Sequence, residues 1–191
     1  MPKLGMEPIR RSALVDATIA EIGARGSLDV TVGQIAKRAG MSSALAHHYF
    51  GGKEQIFLAA MQQILRDFGS EARSRLKTAT TPRDRAEAII DASFAPSCFA
   101  PETISAWMTL YGSAQTNPET LRLLRIYQTR LRSNLIHALR PLSSQPEELA
   151  EVLASLIDGQ YLRAALSRTK SAASARDATR KTLRQLVDAP L

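Results

Sequence analysis

Cysteine, histidine and aromatic residues are all scarce in this chain of 191 residues. The single cysteine, Cys98, excludes a disulfide within one chain and a zinc site built from several thiolates. No run approaches the roughly 18 apolar residues that would suggest a membrane span, and the first residues lack the apolar stretch of a signal peptide. We therefore expect a protein of the reducing cytoplasm.

Patterns typical of enzymes and metal sites are also missing. The chain has no Gly-rich phosphate loop, and three histidines leave little room for a Ser-His-Asp arrangement. His47 and His48 are neighbours on a predicted helix, where adjacent side chains point about 100° apart and cannot easily share one ion. We expect no catalysis, no metal and no cofactor. A helical enzyme or scaffold with an incidental helical hairpin stays open as an alternative.

Positive charge and apolar residues are well represented. Lys and Arg total 25 against 18 Asp and Glu, so the formal net charge is +7, and 45% of residues are apolar. That apolar content predicts a folded core. The basic surplus favours an anionic partner, most often nucleic acid, although it can also serve solubility alone.

The periodicity predicts an all-α fold of about nine helices, because no strand-like alternation extends beyond a few residues. Pro8 suits the first position of the first helix, and Gly26 suits its end. Thr31 and Ser42 are expected to cap two short helices. The predicted helices cover 8–25, 32–39, 43–50, a long segment from Lys53, and then 82–94, 102–115, 118–140, 147–168 and 172–187.

Residues 32–49 have the composition of a helix, a tight turn and a second helix. Ala36 is small where two helices cross, and Gly40 allows the positive φ of the turn. The shared core would contain Ile35, Met41 and Ala46. With Ser42 as its cap, the second helix can enter a DNA major groove by its N-terminal turn. Spacing alone leaves an ordinary helical hairpin as the alternative.

The wider segments TVGQIAKRAGMS at 31–42 and HYFGGKE at 48–54 resemble the DNA-binding signature of the TetR family, over roughly residues 9–60. The resemblance implies a transcriptional repressor that binds a palindromic operator as a dimer. It implies a helix-turn-helix domain at 1–53, in which the third helix reads bases, and a ligand-binding and dimerisation domain at 54–191. The first 53 residues contain seven basic and four acidic residues, a net charge of +3.

The resemblance also assigns roles to residues. Thr31, Tyr49 and Lys53 match contacts to backbone phosphates, and His48 is expected to pack or to contact phosphate. Ala44 and Leu45 depart from the Gly and Thr of many members, which favours apolar contact with a thymine methyl. The positions facing base edges are Ser43, Ala44, Leu45 and His47, and they follow the cap Ser42.

Seven of the ten aromatic residues lie beyond residue 60. Each could be core filler, but several together could line a cavity. Faces of Trp and Tyr attract a quaternary ammonium, and Asp158, three residues before Tyr161, could supply negative charge. Asp158 could instead be a surface or interface carboxylate paired with Arg163 or another cation. The predicted ligand-binding residues are Phe94, Phe99, Trp107, Tyr111, Tyr127, Asp158 and Tyr161.

Three further segments resemble the branch of the TetR family that controls conversion of choline to glycine betaine. They are 1–11, 105–107 (SAW) and 156–167 (LIDGQYLRAALS). This resemblance implies choline as the inducer, which we expect to tilt the helix beginning at Lys53 and to move the two reading helices apart. Repression of a multidrug efflux gene, with varied cationic or apolar ligands, is the alternative.

The resemblance places the dimer interface on helices 147–168 and 172–187. The first has an apolar stripe, with Gly159 allowing close approach, although packing within one subunit is the alternative. The stripe consists of Leu149, Val152, Leu153, Leu156 and Leu162. The last helix is basic and is expected to be a solvated face, with direct DNA contact as the alternative. Its cations are Arg176, Arg180, Lys181 and Arg184.

Overall fold

The computed structural model describes residues 5–26, 29–167 and 171–188, and within these ranges the chain forms nine α-helices and no strand. The all-α prediction is therefore confirmed. The outer limits of the predicted domains, and the start of the 1–11 resemblance, lie outside these ranges. The helices are α1 Met6–Arg25, α2 Val32–Arg38, α3 Ser43–Phe50, α4 Lys53–Leu76, α5 Pro82–Ser93, α6 Pro101–Ser113, α7 Pro118–Leu139, α8 Pro146–Ser167 and α9 Ala172–Asp188.

Local capping explains the starts of four helices, namely α2, α3, α5 and α7. The Thr31 hydroxyl accepts a hydrogen bond from the backbone N–H of Gln34, and the Gln34 side chain accepts one from the backbone N–H of Thr31. The Ser42 hydroxyl accepts a hydrogen bond from the backbone N–H of Leu45. Gly40 has φ 68° in the turn between α2 and α3, as predicted. The prediction for Pro8 was wrong, because α1 begins two residues earlier, at Met6. The other predicted ends that fall in the described ranges agree with the structure or differ by at most two residues, where helix termini are least defined.

One connected hydrophobic core joins the helix-turn-helix to the rest of the molecule. Ile35, Ala36 and Ala46 are fully buried between α2, α3 and α1, which holds the two short helices together. Ile56 and Phe57 continue this core along α4. The predicted domain boundary after residue 53 therefore falls at the start of α4, which packs against both the helix-turn-helix and the C-terminal helices. This domain boundary stays a prediction. No helix in the described ranges is long and apolar enough to cross a membrane.

The basic surface of α9 differs in part from the sequence prediction. Arg180 is half-buried and pairs with Asp91 and Glu87 of α5, so the solvated face predicted for this arginine was wrong. Arg184 pairs with Glu87 at 3.0 Å but is exposed, as predicted. Their partners lie about 90 residues away in sequence, which periodicity within α9 cannot reveal. Arg176 pairs with its neighbour Asp177, and Lys181 is exposed.

The apolar stripe of α8 divides between two faces. Leu153 is completely buried within the subunit, so for this residue the alternative of packing within one chain is correct. Val152 and Leu162 are 48% and 49% exposed, and Leu166, one turn further, is 78% exposed. A helix of this length can bury one stripe inside its own subunit and leave a second stripe for another surface.

Helices α1 and α6 approach closely at Gly23. A Cβ atom added to Gly23 would lie 2.7 Å from the Cα of Glu102, the second residue of α6. Since that atom belongs to the backbone, a side-chain rotation cannot relieve the overlap. The absence of a Cβ at residue 23 therefore sets the distance between the DNA-binding part and α6.

We expect Gly23→Ala to lower the free energy of unfolding by about 1–3 kcal/mol, the usual range for inserting a methyl group into a closely packed contact. Gly112→Ala in α6 is the matched control, because no atom lies within 4 Å of its added Cβ. That control should gain up to about 1 kcal/mol from helix propensity. Urea unfolding at one protein concentration measures both. Equal stabilisation by the two substitutions would contradict the close contact.

Candidate DNA interface and ligand cavity

The predicted base-reading residues lie together on the outer face of α3. Ala46 is its one fully buried residue, and this anchors the helix against α2 and α4. Leu45 is half-buried, so it offers only part of its side chain to a groove. The exposed residues are Ser42, Ser43, Ala44, His47 and His48. The arrangement gives a short helix with a capped N-terminus and small side chains in its first turn, which suits entry into a major groove.

The two histidines of α3 occupy different environments. The Nδ1 atom of His47 lies 3.0 Å from the carbonyl oxygen of Gly51 at the end of α3. An Nδ1–H donor would satisfy that carbonyl and leave Nε2 as the outward acceptor. The His48 ring lies 5.5 Å from the Tyr49 ring, so His48 packs on the neighbouring aromatic residue, one of the two roles expected for it.

The residues expected to contact phosphate flank α3. Thr31 and Lys53 are exposed at the first turns of α2 and α4, where partial positive charge of the helix termini adds to the attraction for an anion. Tyr49 is half-buried near the end of α3. Sequence reasoning missed two arginines of α1 that contact it. The Arg10 Nη1 lies 3.5 Å from the Tyr49 hydroxyl, and the Arg11 guanidinium lies 5.6 Å from the centre of the Tyr49 ring.

The seven predicted ligand residues converge from α5 to α8. Trp107 and Tyr127 have ring centres 4.4 Å apart, and Trp107 lies 6.2 Å from Tyr161. Phe94 and Phe99 form the back of this cluster, with Phe99 packed edge-on at 5.0 Å from Tyr161. We call this group, completed by Tyr111 and Asp158, the aromatic cluster.

A small cavity lies at the centre of the aromatic cluster. It has about 10 Å³ available to the centre of a water molecule, which is room for one water. Phe94, Phe99 and Tyr111 support the lining residues from behind. Sequence reasoning missed four lining residues, although the i, i+4 spacing of Ile64 and Phe68 indicated a shared face of α4. The lining consists of Ile64, Phe68, Ser93, Cys98, Trp107, Tyr127 and Tyr161.

Asp158 is bound by tyrosine hydroxyls. The Tyr127 hydroxyl donates to its Oδ1 at 3.2 Å, and Tyr111 also hydrogen-bonds to it. Burial raises the pKa of Asp158 above its usual value, and the two tyrosine hydrogen bonds partly oppose that shift. Burial likewise raises the pKa of Tyr111 and Tyr127, so both stay protonated donors. Asp158 is therefore a half-buried carboxylate beside aromatic faces, and it does not line the cavity itself. It also borders an open surface pocket together with Arg132 and Glu151, so a surface or interface carboxylate remains the alternative.

The Tyr161 hydroxyl is engaged within the protein. It donates to the carbonyl oxygens of Ser93 and Cys98, the latter at 3.0 Å, at the end of α5 and in the segment before α6. Both contacts are buried. Tyr161 can therefore offer its ring to a ligand, while its hydroxyl fixes the connection between α5 and α6.

An exposed reading helix and a buried aromatic cavity, joined by α4, define a one-component transcriptional regulator. The family model for bacterial regulatory proteins of the tetR family matches residues 14–60, and the model for the C-terminal part of BetI-type transcriptional repressors matches 82–188. The chain belongs to the TetR family, in its BetI-type branch, and is a DNA-binding repressor rather than an enzyme.

Relatives and solved structures agree with this placement. The regulator BetI of Brucella anthropi is 54% identical over 168 residues, 87% of each chain, and that of Rhizobium meliloti is 50% identical over 87% of this chain and 83% of its own. A regulator from Saccharomonospora viridis, solved with choline, has a TM-score of 0.82 at 21% identity, covering 91% of this chain and 95% of that one. A TetR regulator from Haloarcula marismortui has a TM-score of 0.83 at 19% identity, covering 95% and 97%. These structural likenesses show the fold.

We expect Tyr161→Phe to lower the free energy of unfolding by about 1–3 kcal/mol, because two buried carbonyl oxygens lose their donor while the ring is retained. Tyr49→Phe makes the same chemical change at a half-buried site and should alter stability by less than about 0.5 kcal/mol. Urea unfolding of both variants gives the comparison. A loss at residue 161 no larger than that at residue 49 would contradict the role of this hydroxyl.

Proposed function

We propose that this protein is a dimeric repressor of genes for the conversion of choline to glycine betaine, which works in the cytoplasm and releases its operator when choline enters the aromatic cluster. The observation that carries the proposal is the half-buried Asp158 carboxylate, which accepts a hydrogen bond from Tyr127, whose ring lies 4.4 Å from Trp107. The family membership, and the neighbour solved with choline, support the same reading.

The chemistry of the aromatic cluster suits a quaternary ammonium. Such a cation has no N–H to donate, so it is recognised by ring faces and by negative charge. Trp107, Tyr127 and Tyr161 offer the ring faces, and Asp158 offers a charge that is not fully solvated. The attraction between a carboxylate and a nearby cation is stronger where the carboxylate is partly shielded from water than where it is exposed.

Ligand entry must rearrange the cavity, because choline is several times larger than the one water that the present space admits. The rings that must separate lie on four different helices. Among the lining residues, Ile64 and Phe68 belong to α4, whose first residue is Lys53 at the DNA face. We infer that choline favours a conformation with α4 tilted, which moves the two α3 helices of a dimer apart. A ligand shifts this equilibrium only through its preference for one conformation.

Dimerisation through α8 and α9 completes the proposal. The exposed Val152, Leu162 and Leu166 give α8 an apolar face that is not buried within the subunit. A two-fold arrangement would place two α3 helices about one DNA turn, ~34 Å, apart and so read two halves of a palindrome. The residues carrying sequence readout would be Ser43, Ala44, Leu45 and His47, with the cap Ser42 and His48 beside them.

The decisive experiment measures binding of the protein to DNA upstream of its own gene by fluorescence anisotropy, with and without millimolar choline. The matched ligand is 3,3-dimethyl-1-butanol, in which a neutral carbon replaces the ammonium nitrogen. We expect choline to weaken operator binding and the neutral isostere to leave it unchanged. Equal effects of both would favour a multidrug-type regulator, and no effect of choline would overturn the choline assignment.

We expect Asp158→Asn to weaken choline binding strongly. In the wild type, affinity should be highest above the pKa of Asp158 and should fall as the pH falls through that pKa, because the protonated acid no longer attracts a cation. Since burial raises this pKa, the fall begins at a higher pH than for an ordinary aspartate. Calorimetric titrations with choline from pH 8 downward measure the affinity at each pH. The affinity of Asp158→Asn for choline should not change with pH in this way.

The control for that prediction is Asp67→Asn, which removes the same charge from an exposed carboxylate of α4 that hydrogen-bonds Gln63. Choline affinity of this variant should equal that of the wild type. If Asp158→Asn also binds choline like the wild type, the cation is recognised elsewhere.

We expect Lys53→Gln to reduce the salt dependence of operator binding. Each lost phosphate contact lowers the slope of log K against log salt by about 0.9, so a dimer with two such contacts loses about 1.8. Lys77→Gln, at the opposite end of α4, is the matched control and should keep the wild-type slope. Identical slopes for the two variants would remove Lys53 from the DNA interface.

A further inference from the structure

We propose that Arg10 is a further DNA-contacting residue, whose guanidinium binds the same backbone phosphate as the Tyr49 hydroxyl. The inference rests on the proposed operator binding through α3 and extends it to α1. The two residues are 39 positions apart in sequence, yet Arg10 Nη1 lies 3.5 Å from the Tyr49 hydroxyl oxygen.

The direction of the hydrogen bond points to an anion. Arginine has only donors, so the Tyr49 oxygen must accept from Arg10, and the hydroxyl proton is left to donate outward. A guanidinium keeps four further N–H groups for other acceptors. A cation and an outward O–H donor at this spacing match two oxygens of one phosphate group, which is the bidentate recognition for which arginine is suited.

The charge pattern of α1 distinguishes Arg10 from the other arginines of the helix. Arg11 pairs with Glu7 at 2.9 Å, and Arg25 pairs with Glu21 at 3.8 Å. Among the described residues no carboxylate lies within ion-pair distance of Arg10, and its hydrogen bond goes to Tyr49. A DNA phosphate would therefore neutralise a charge that has no carboxylate partner in the described part of the chain.

Arg11 contacts aromatic rings and does not share the hydrogen bond of Arg10 to the Tyr49 hydroxyl. Its guanidinium lies over the rings of Tyr49 and Phe50, 5.6 Å and 5.0 Å from their centres, and its Nε pairs with Glu7 at 2.9 Å. These contacts fix the Tyr49 ring, so Arg11 acts as a positioning residue. The Tyr49 hydroxyl is thereby set beside Arg10 near the end of α3, on the side where the wall of a major groove would lie when the first turn of α3 reaches the bases.

The test compares Arg10→Gln with Arg25→Gln, which removes the same charge from the other end of the same helix. Operator affinity is measured by anisotropy between roughly 50 and 200 mM salt. For Arg10→Gln we expect the salt slope to fall by about 1.8 per dimer, so the loss of affinity across this range becomes roughly tenfold smaller than in the wild type. Arg10→Lys should retain the wild-type slope, and so should Arg25→Gln. Circular dichroism confirms that each variant is folded before it is compared.

Two further readouts separate a shared phosphate from other roles. Arg10→Gln should weaken binding to the operator and to an unrelated duplex by the same factor, because a backbone contact does not read sequence. The double variant Arg10→Gln/Tyr49→Phe should lose less than the product of the two single losses, because both groups act on one phosphate. A loss confined to the operator, or a full product of the single losses, would contradict the shared phosphate.

The outcome for Arg10 is separable from that for the proposed function. If the wild-type protein does not bind its operator even at low salt, the proposed function itself is wrong. If the wild type and Lys53→Gln behave as expected while Arg10→Gln keeps the slope of Arg25→Gln, only the assignment of Arg10 is wrong.

Discussion

The continuity of α4 is the constraint on which both sites depend. One unbroken helix, Lys53–Leu76, begins beside α3 and continues past the cavity, where it supplies Ile64 and Phe68. At about 1.5 Å per residue, its 24 residues span about 36 Å. A packed helix moves as a unit, because its neighbours are too dense to absorb the change locally. In the proposed mechanism, separation of the rings around the cavity would therefore alter the position of Lys53.

A second connection between the two sites passes through α1. Trp107 of the aromatic cluster lies on α6, and α6 begins against Gly23 of α1 with no space for a Cβ. Towards its other end, α1 places Arg10 and Arg11 on Tyr49. The cavity is thus connected to α3 by two routes, one through α4 and the other through α6 and α1. Two rigid connections to one short helix offer a physical reason why a small rearrangement of side chains could change the spacing of the reading surfaces.

Local chemistry explains which features could be predicted from the sequence. The caps Thr31 and Ser42 and the positive φ of Gly40 depend on residues within one turn, so their signals are complete in the sequence. The convergence of the aromatic cluster was one of two interpretations of the aromatic residues beyond residue 60, the other being core filler. The partners of Arg180, the inward packing of Leu153 and the contact of Arg10 with Tyr49 depend on elements distant in sequence, which helical periodicity does not specify.

The most direct test of this account is the distance between the two DNA-reading parts of a dimer. Lys37 is exposed on α2, so Lys37→Cys can carry a spin label, while burial raises the pKa of the Cys98 thiol and disfavours its labelling. Double electron–electron resonance then measures the distance between the two labels with and without saturating choline. We expect the distribution to shift to longer distances when choline binds. An unchanged distribution, under conditions in which choline releases the operator, would contradict the proposed movement of α4.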